Sequence, residues 1–196
     1  MRQKYLTYSA FLLLLFSYCI LAQSKMGVHG AMILPASSGL REISQLGAGA
    51  GLRIDFILNK NVVSRIDASI YQSFEENIEI FGTPSTSTVR IIPLRVGLNY
   101  YLNSKGSTFY LSGMFGAYNR KIEIRSDHDS STEERQATSD TKMRFGLAPG
   151  LGIQIPINNN TLSLDIGIHY DIYFEDTQTN AFFNLSVGIL LGFGNF

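Results

Sequence analysis

His169 has the best prospects for chemistry in this sequence. It sits between Asp165 and Asp171, with Ser163 nearby, in the run Thr161–Asp176, TLSLDIGIHYDIYFED. A hydroxyl, a base and a carboxylate are the ingredients of nucleophilic catalysis, which needs the histidine hydrogen-bonded to both other members. All four residues hold odd positions, so an extended chain puts them on one face, where successive same-face residues lie roughly 6.6 Å apart. They cannot touch without help from neighbouring strands. The spacing therefore favours a structural reading, in which these groups pair with partners across an enclosed interior. The catalytic alternative requires Ser, His and acidic side chains to converge at a loop rim.

The other candidates are weaker. His29 and His128 lie far from His169 in sequence, and a three-histidine metal site would have to span loops and lumen. Gly47–Gly51, GAGAG, looks like part of a nucleotide-binding fingerprint, but that motif must end a strand and open a helix, whereas here the strand continues. Asp127, Asp129, Glu133, Glu134 and Asp140 lie in the almost wholly polar stretch 125–140. Their spacing matches no EF-hand, so a solvated loop is expected. No catalytic, cofactor-binding or metal-binding residue is assigned, and no cofactor is called for.

The element that carries His169 is the clearest in the chain. Leu162, Leu164, Ile166, Ile168, Tyr170, Ile172 and Phe174 alternate with Ser163, Asp165, Gly167, His169, Asp171 and Tyr173. A period of two over thirteen residues is a strand with one apolar and one polar face. It is about twice the usual strand length and long enough to cross a bilayer at a tilt.

Composition agrees with a membrane location. Only 16% of the 196 residues are charged, against about 25–35% on a well-solvated small domain. The 16 basic and 16 acidic residues cancel, so no basic surface points to nucleic acid. Arg2 and Lys4 followed by the apolar Ala10–Ala22 read as a secretory signal peptide over residues 1–22, leaving a barrel domain over 23–196. Loss of Arg2 and Lys4 takes the basic residues from 16 to 14 against 16 acidic, a mature charge of −2. Cys19, the one cysteine, either anchors a lipid or leaves with the signal. Tyr18 before it opposes the first, and the second leaves no thiol for disulfides or metal sites.

The remaining strands follow by the same alternation: Met26–Leu34, Gln45–Leu58, Val62–Phe74, Val89–Leu102, Thr108–Ile124, Thr141–Ile155 and Phe182–Phe196. Pro93 cannot donate to a ladder and predicts a bulge or break. Short turns at 59–61, 103–107 and 156–160 alternate with longer connections at 35–44, 75–88, 125–140 and 175–181. Eight strands with short turns at one rim and long loops at the other predict an all-β, eight-stranded antiparallel up-and-down transmembrane β-barrel. Both termini then lie on the short-turn, periplasmic side.

Volume settles which face is outside. Five or six large apolar residues per strand give roughly forty or more, too many for the narrow lumen of eight strands. The opposite face is rich in glycine (47, 49, 51, 97, 146, 150, 152 and 167), which suits a crowded interior. The lumen set is then Arg53, Arg65, Arg95, Lys142 and Arg144 against Asp55, Asp67, Asp165 and Asp171. Buried charges need partners, and near-equal numbers predict a plugged interior. Tyr100, Tyr101, Tyr170, Tyr173 and Phe174, near strand ends, are expected to form an interfacial aromatic girdle.

Val89–Tyr101, VRIIPLRVGLNYY, resembles the "IPL…YY" strand of the PorT-like outer-membrane β-barrel family. Thr108–Gly116, Phe145–Gly152 and Leu162–Tyr170 are similar to its following strands, so the resemblance covers most of the mature chain. It implies an eight-stranded outer-membrane barrel, often of unassigned function. Some members are linked to protein secretion, but no functional residue motif exists to carry that link over. Phe196 resembles the terminal aromatic by which barrel assembly machinery recognises its clients. The apolar parity of the last strand is odd, however, so either a bulge near Gly192 or Gly194 resets the register or the signal is imperfect.

The expectation is a non-enzymatic outer-membrane barrel with a plugged polar lumen and a structural or binding role in the cell envelope. Its partners would be outer-membrane lipids, the assembly machinery during biogenesis, and an extracellular partner at loops 75–88 and 125–140. A lipid- or peptide-modifying outer-membrane enzyme and a soluble periplasmic ligand-binding barrel are the alternatives.

Overall fold

The computed structural model describes residues 23–80, 83–102, 108–126, 138–158, 161–175 and 179–193. The signal segment 1–22, the acidic cluster from Asp127 to Glu134, His128 and Phe196 lie outside them.

Alternation of bulky apolar with small or polar residues makes eight of the segments strands, and hydrogen bonding to both neighbours makes those eight a wall. In chain order they are β1 (Ser24–Pro35), β2 (Gly47–Ile57), β3 (Val62–Ser73), β4 (Glu76–Ile80), β5 (Thr83–Tyr101), β6 (Thr108–Ser126), β7 (Thr138–Asn158), β8 (Leu162–Phe174) and β9 (Thr179–Phe193). A four-residue helix, α1 (Ser38–Arg41), follows β1. All pairings are antiparallel. β9 pairs with β1, and β3 pairs with β5, so eight strands close the barrel and β4 stands outside the wall.

The apolar face points out. Phe145 is 74% exposed, Leu52 and Met143 63%, and Val28 60%, while Arg53, Arg65, Arg95, Asp67, Asp165 and Asp171 are at most 2% exposed. This is the reverse of a soluble ligand-binding barrel, whose apolar faces line the interior, and it removes that alternative.

Glycine makes the interior possible. Tyr71 faces Gly49 in register, His29 faces Gly51, Arg95 faces Gly116, Tyr110 faces Gly152 and His169 faces Gly150. A Cβ at Gly152 would collide with the Tyr110 ring, and one at Gly150 with the His169 ring. Bulky lumen side chains thus lie over bare backbone on the neighbouring strand.

Pro93 breaks a ladder as its missing N–H requires. The β3–β5 pairing runs to Ala68↔Leu94, omits the two rungs opposite Pro93 and Ile92, and resumes at Tyr71↔Ile91 in unchanged register. The β6 side of β5 is unbroken there. Pro149 has the same effect on β7–β8 between Leu147↔Ile172 and Gly150↔His169. No register change occurs at Gly192, which stays opposite Lys25.

The connection 75–88 is a correction. Its polar sequence predicts a loop, yet β4 pairs with the start of β5 from Glu76↔Ser87 to Ile80↔Thr83. A hairpin that stands clear of the bilayer has no greasy face, so its sequence lacks the alternation that marks the other strands, while its Ile and Thr residues still favour extended backbone. Residues 125–126 and 138–140 likewise belong to β6 and β7, whose ladder runs to Ile124↔Thr138. β4 to β7 therefore form a sheet that projects past the ends of β3 and β8.

Candidate functional site

The lumen is stacked in three layers. Near the short-turn rim Val63, Tyr101 and Tyr110 pack together with Ile57 beside them. Near the long-loop rim Ala31, Ile33, Tyr71, Val89, Ile91, Tyr118, Tyr173 and Phe182 form a second apolar cluster, closed by Leu40 of α1. Leu40 is 2% exposed. The chain entering α1 is tied down by the Ala36 and Ser37 amides, which both donate to the Ala181 carbonyl, and by Ser37 Oγ donating to Asn180 Oδ1 at 3.2 Å.

Between these layers lies the charge network. Arg65 donates from Nε and Nη2 to the two oxygens of Asp55, each at 2.7 Å, and from Nη2 to Asp165 at 3.1 Å. Arg53 donates to Asp67 at 3.3 Å and also to Asp165. Arg95 donates to Asp171 at 2.7 and 2.9 Å and to Asp67 at 2.7 Å. Tyr110 and Tyr118 donate to Asp165 and Asp171 at 3.1 and 2.7 Å. The Tyr71 hydroxyl accepts from Arg95 Nη2 at 2.9 Å and from Asn184 Nδ2 at 2.6 Å. Four strands, β2, β3, β5 and β8, supply these charges, so the network bridges the lumen from wall to wall. Such pairs are strong because both partners are ionised and the forked guanidinium matches the carboxylate.

Lys142 and Arg144, expected among the lumen cations, do not join this network. Both sit on β7 above the Gly146↔Tyr173 rung, where the wall opens; Lys142 is exposed and Arg144 half-buried, donating to the Met143 carbonyl. The fourth cation is Lys25, missed by the sequence reading. It reaches Gln154 at 3.3 Å and Ser163 at 3.5 Å from the short-turn side. With it, four cations of the central network face its four aspartates, while Arg120 and Glu175 form a separate buried pair at 2.8 Å. The girdle also needs correction. Tyr101 and Tyr173 are buried in the lumen because their parity is that of the inner face, whereas Tyr100 and Phe174 face outward.

The residues singled out for chemistry are together on β8 but do not converge. Ser163 meets Lys25, Asp165 meets Arg53, Arg65 and Tyr110, and Asp171 meets Arg95 and Tyr118. His169 is 1% exposed, and neither ring nitrogen has a hydrogen-bond partner among the described residues. His29 lies instead beside Ser69, its Nε2 3.3 Å from Ser69 Oγ, which itself donates to Asp67 at 2.6 Å. The histidine is therefore not between hydroxyl and carboxylate, the order that nucleophilic catalysis needs.

Residues 11–189 match the family described as outer membrane protein beta-barrel domain. The chain belongs to that family. It is an outer-membrane β-barrel protein, and solved structures of the same fold agree with the assignment. Ail, the attachment invasion locus protein of Yersinia pestis, is 17% identical with a TM-score of 0.55, covering 88% of this chain and 99% of that one. A major outer membrane protein of Thermus thermophilus is 11% identical with a TM-score of 0.57 and coverages of 87% and 99%. Neisserial surface protein A is 14% identical with a TM-score of 0.50 and coverages of 87% and 97%. At these identities the likeness is one of fold. No curated protein sequence matches the chain.

Proposed function

We propose that this family member is a non-enzymatic, closed barrel whose lumen is a structural core and whose projecting sheet carries its interactions in the cell envelope. One observation carries the reading: Arg53, Arg65 and Arg95 bridge Asp55, Asp67, Asp165 and Asp171 across the lumen, between two apolar layers. Passage would require breaking several charge-assisted bonds at once, leaving charges buried and unpaired, which costs several kcal/mol for each. Catalysis finds no support at His169 or His29, whose neighbours lack the required order.

The PorT-like resemblance of Val89–Tyr101 fits this reading and adds no secretion role. Contacts with outer-membrane lipids, and with the assembly machinery during biogenesis, follow from residence in the outer membrane. The projecting sheet, with the segments 75–88 and 125–140, is the surface offered to an extracellular partner. The reading is tested in planar bilayers and by crosslinking in cells. A steady open conductance from the intact protein, or a lipid- or peptide-modifying activity lost on substituting His169 and Asp171, would overturn it.

A further inference from the structure

The outer wall has a feature that lumen packing leaves unexplained. On β5 the outward residues run Leu98, Val96, Leu94 and Ile92, then change to Arg90. On β6 they run Leu111, Gly113, Phe115 and Ala117, then Asn119 and Lys121. Register sets Arg90 against Gln72 on one side and Lys121 on the other, with Thr141 next across. These four make the first wholly polar rung above the apolar band.

Arg90 and Lys121 are like charges directly opposite one another, an arrangement that destabilises a sheet unless something offsets it. Lys121 has Glu123 at 2.6 Å, whereas Arg90 donates to the neutral Gln72 amide at 3.1 Å. The pair retains a net positive charge, and the exposed guanidinium keeps most of its five donors, whose planar fork suits phosphate oxygens. Below it the wall is apolar and open, with Ile92 44%, Met143 63% and Phe145 74% exposed. Cations directly above such a wall match an amphiphile that carries phosphate over acyl chains.

We propose that Arg90 and Lys121 clamp the phosphate of an anionic lipid headgroup in the leaflet at the long-loop rim, with its acyl chains against Ile92, Met143 and Phe145. The inference does not depend on the lumen being closed or on the absence of catalysis, so a conducting or catalytic barrel would leave it standing.

The test uses the barrel in phosphatidylcholine nanodiscs, alone, with phosphorylated lipid A, or with inorganic phosphate in the buffer. Lipid retention is read by native mass spectrometry, and folding of each variant by heat-modifiable migration. The wild type is expected to retain lipid A. R90Q/K121Q should bind it about 25-fold more weakly, and K121Q alone about fivefold, the effect of removing one interfacial cation at a time. K60Q, at the opposite rim, should bind as the wild type does. Equal retention of lipid A by R90Q/K121Q and wild type overturns the proposal. So does inorganic phosphate that displaces lipid A completely, which would make the site one for free anions.

Discussion

Asp55 and Arg65 face each other across the β2–β3 ladder and are joined by two parallel bonds of 2.7 Å. Two residues along, the polarity is reversed: Arg53 faces Asp67 at 3.3 Å. Both strands carry the tripeptide Arg-Ile-Asp, at 53–55 and 65–67. An antiparallel turn centred on Lys60 lays one copy against the other so that each arginine meets an aspartate. Asp165 then ties both arginines to β8, and Asp67 passes the connection on to Arg95.

A double-mutant cycle on Asp55 and Arg65 should show strong coupling. Removing one partner strands a buried charge, so Asp55→Ala or Arg65→Ala alone should each lose about 3–5 kcal/mol. The double variant should lose far less than the sum, as measured by urea unfolding in lipid vesicles. Additive losses would mean that the pair contributes no mutual energy.

His169 and Asp171 share a strand face but should respond oppositely to apolar substitution. His169 buries two unpartnered nitrogens, so His169→Leu removes a desolvation cost of about 1–3 kcal/mol and should leave the barrel as stable as the wild type or more so. Asp171→Leu strips Tyr118 of its acceptor and leaves Arg95 Nη1 without its carboxylate, with only the Nη2 bonds to Asp67 and Tyr71 remaining, and should cost about 3–5 kcal/mol. Denaturant midpoints of the two variants, measured side by side, check the contrast.

Leu40 closes the upper apolar layer without sealing the lumen alone. Leu40→Ala should cost at most about 2–5 kcal/mol through the cavity it leaves. It should not open a steady conductance in planar bilayers, because the charge network below remains intact. A conducting L40A variant would place the seal at α1.

Gly152 lies under the Tyr110 ring, and a Cβ there meets both the ring and the Ile166 carbonyl. Gly152→Ala should therefore cost about 1–3 kcal/mol through overpacking and pull Tyr110 away from Asp165. The truncation Tyr110→Leu, combined with Gly152→Ala, should relieve much of the steric part. Heat-modifiable migration at graded temperatures would rank the three variants.

Much of this was legible in the chain. Strand alternation has a fixed period, so Arg53, Asp55, Arg65, Asp67, Arg95, Asp165 and Asp171 could be placed on the inner face without coordinates. The repeated Arg-Ile-Asp was a further signal, since two copies placed symmetrically about a tight turn must pair in opposite sense. Lys25 was harder to find, because Gly27 and Gly30 dilute the pattern of β1. Lys142 and Arg144 misled for a different reason. Parity says which face a residue occupies but not how high it stands, and above the rim the inner face is open to water.

The sequence by itself determined the wall: eight amphipathic strands, an apolar side too large for an eight-stranded lumen, and a charge-balanced interior. Those follow from periodicity and volume, which are local properties of the chain. Only the tertiary structure decided which aspartate holds which arginine, that α1 closes the mouth, that 76–87 pairs as a hairpin, and that His169, unlike Asp165 and Asp171, meets no hydrogen-bond partner among the described residues. The hairpin is local but lacks the alternation that marks a wall strand; the others depend on the stagger of strands distant in sequence. A barrel sets that stagger through closure of β3 onto β5 and β1 onto β9, and no single strand encodes it.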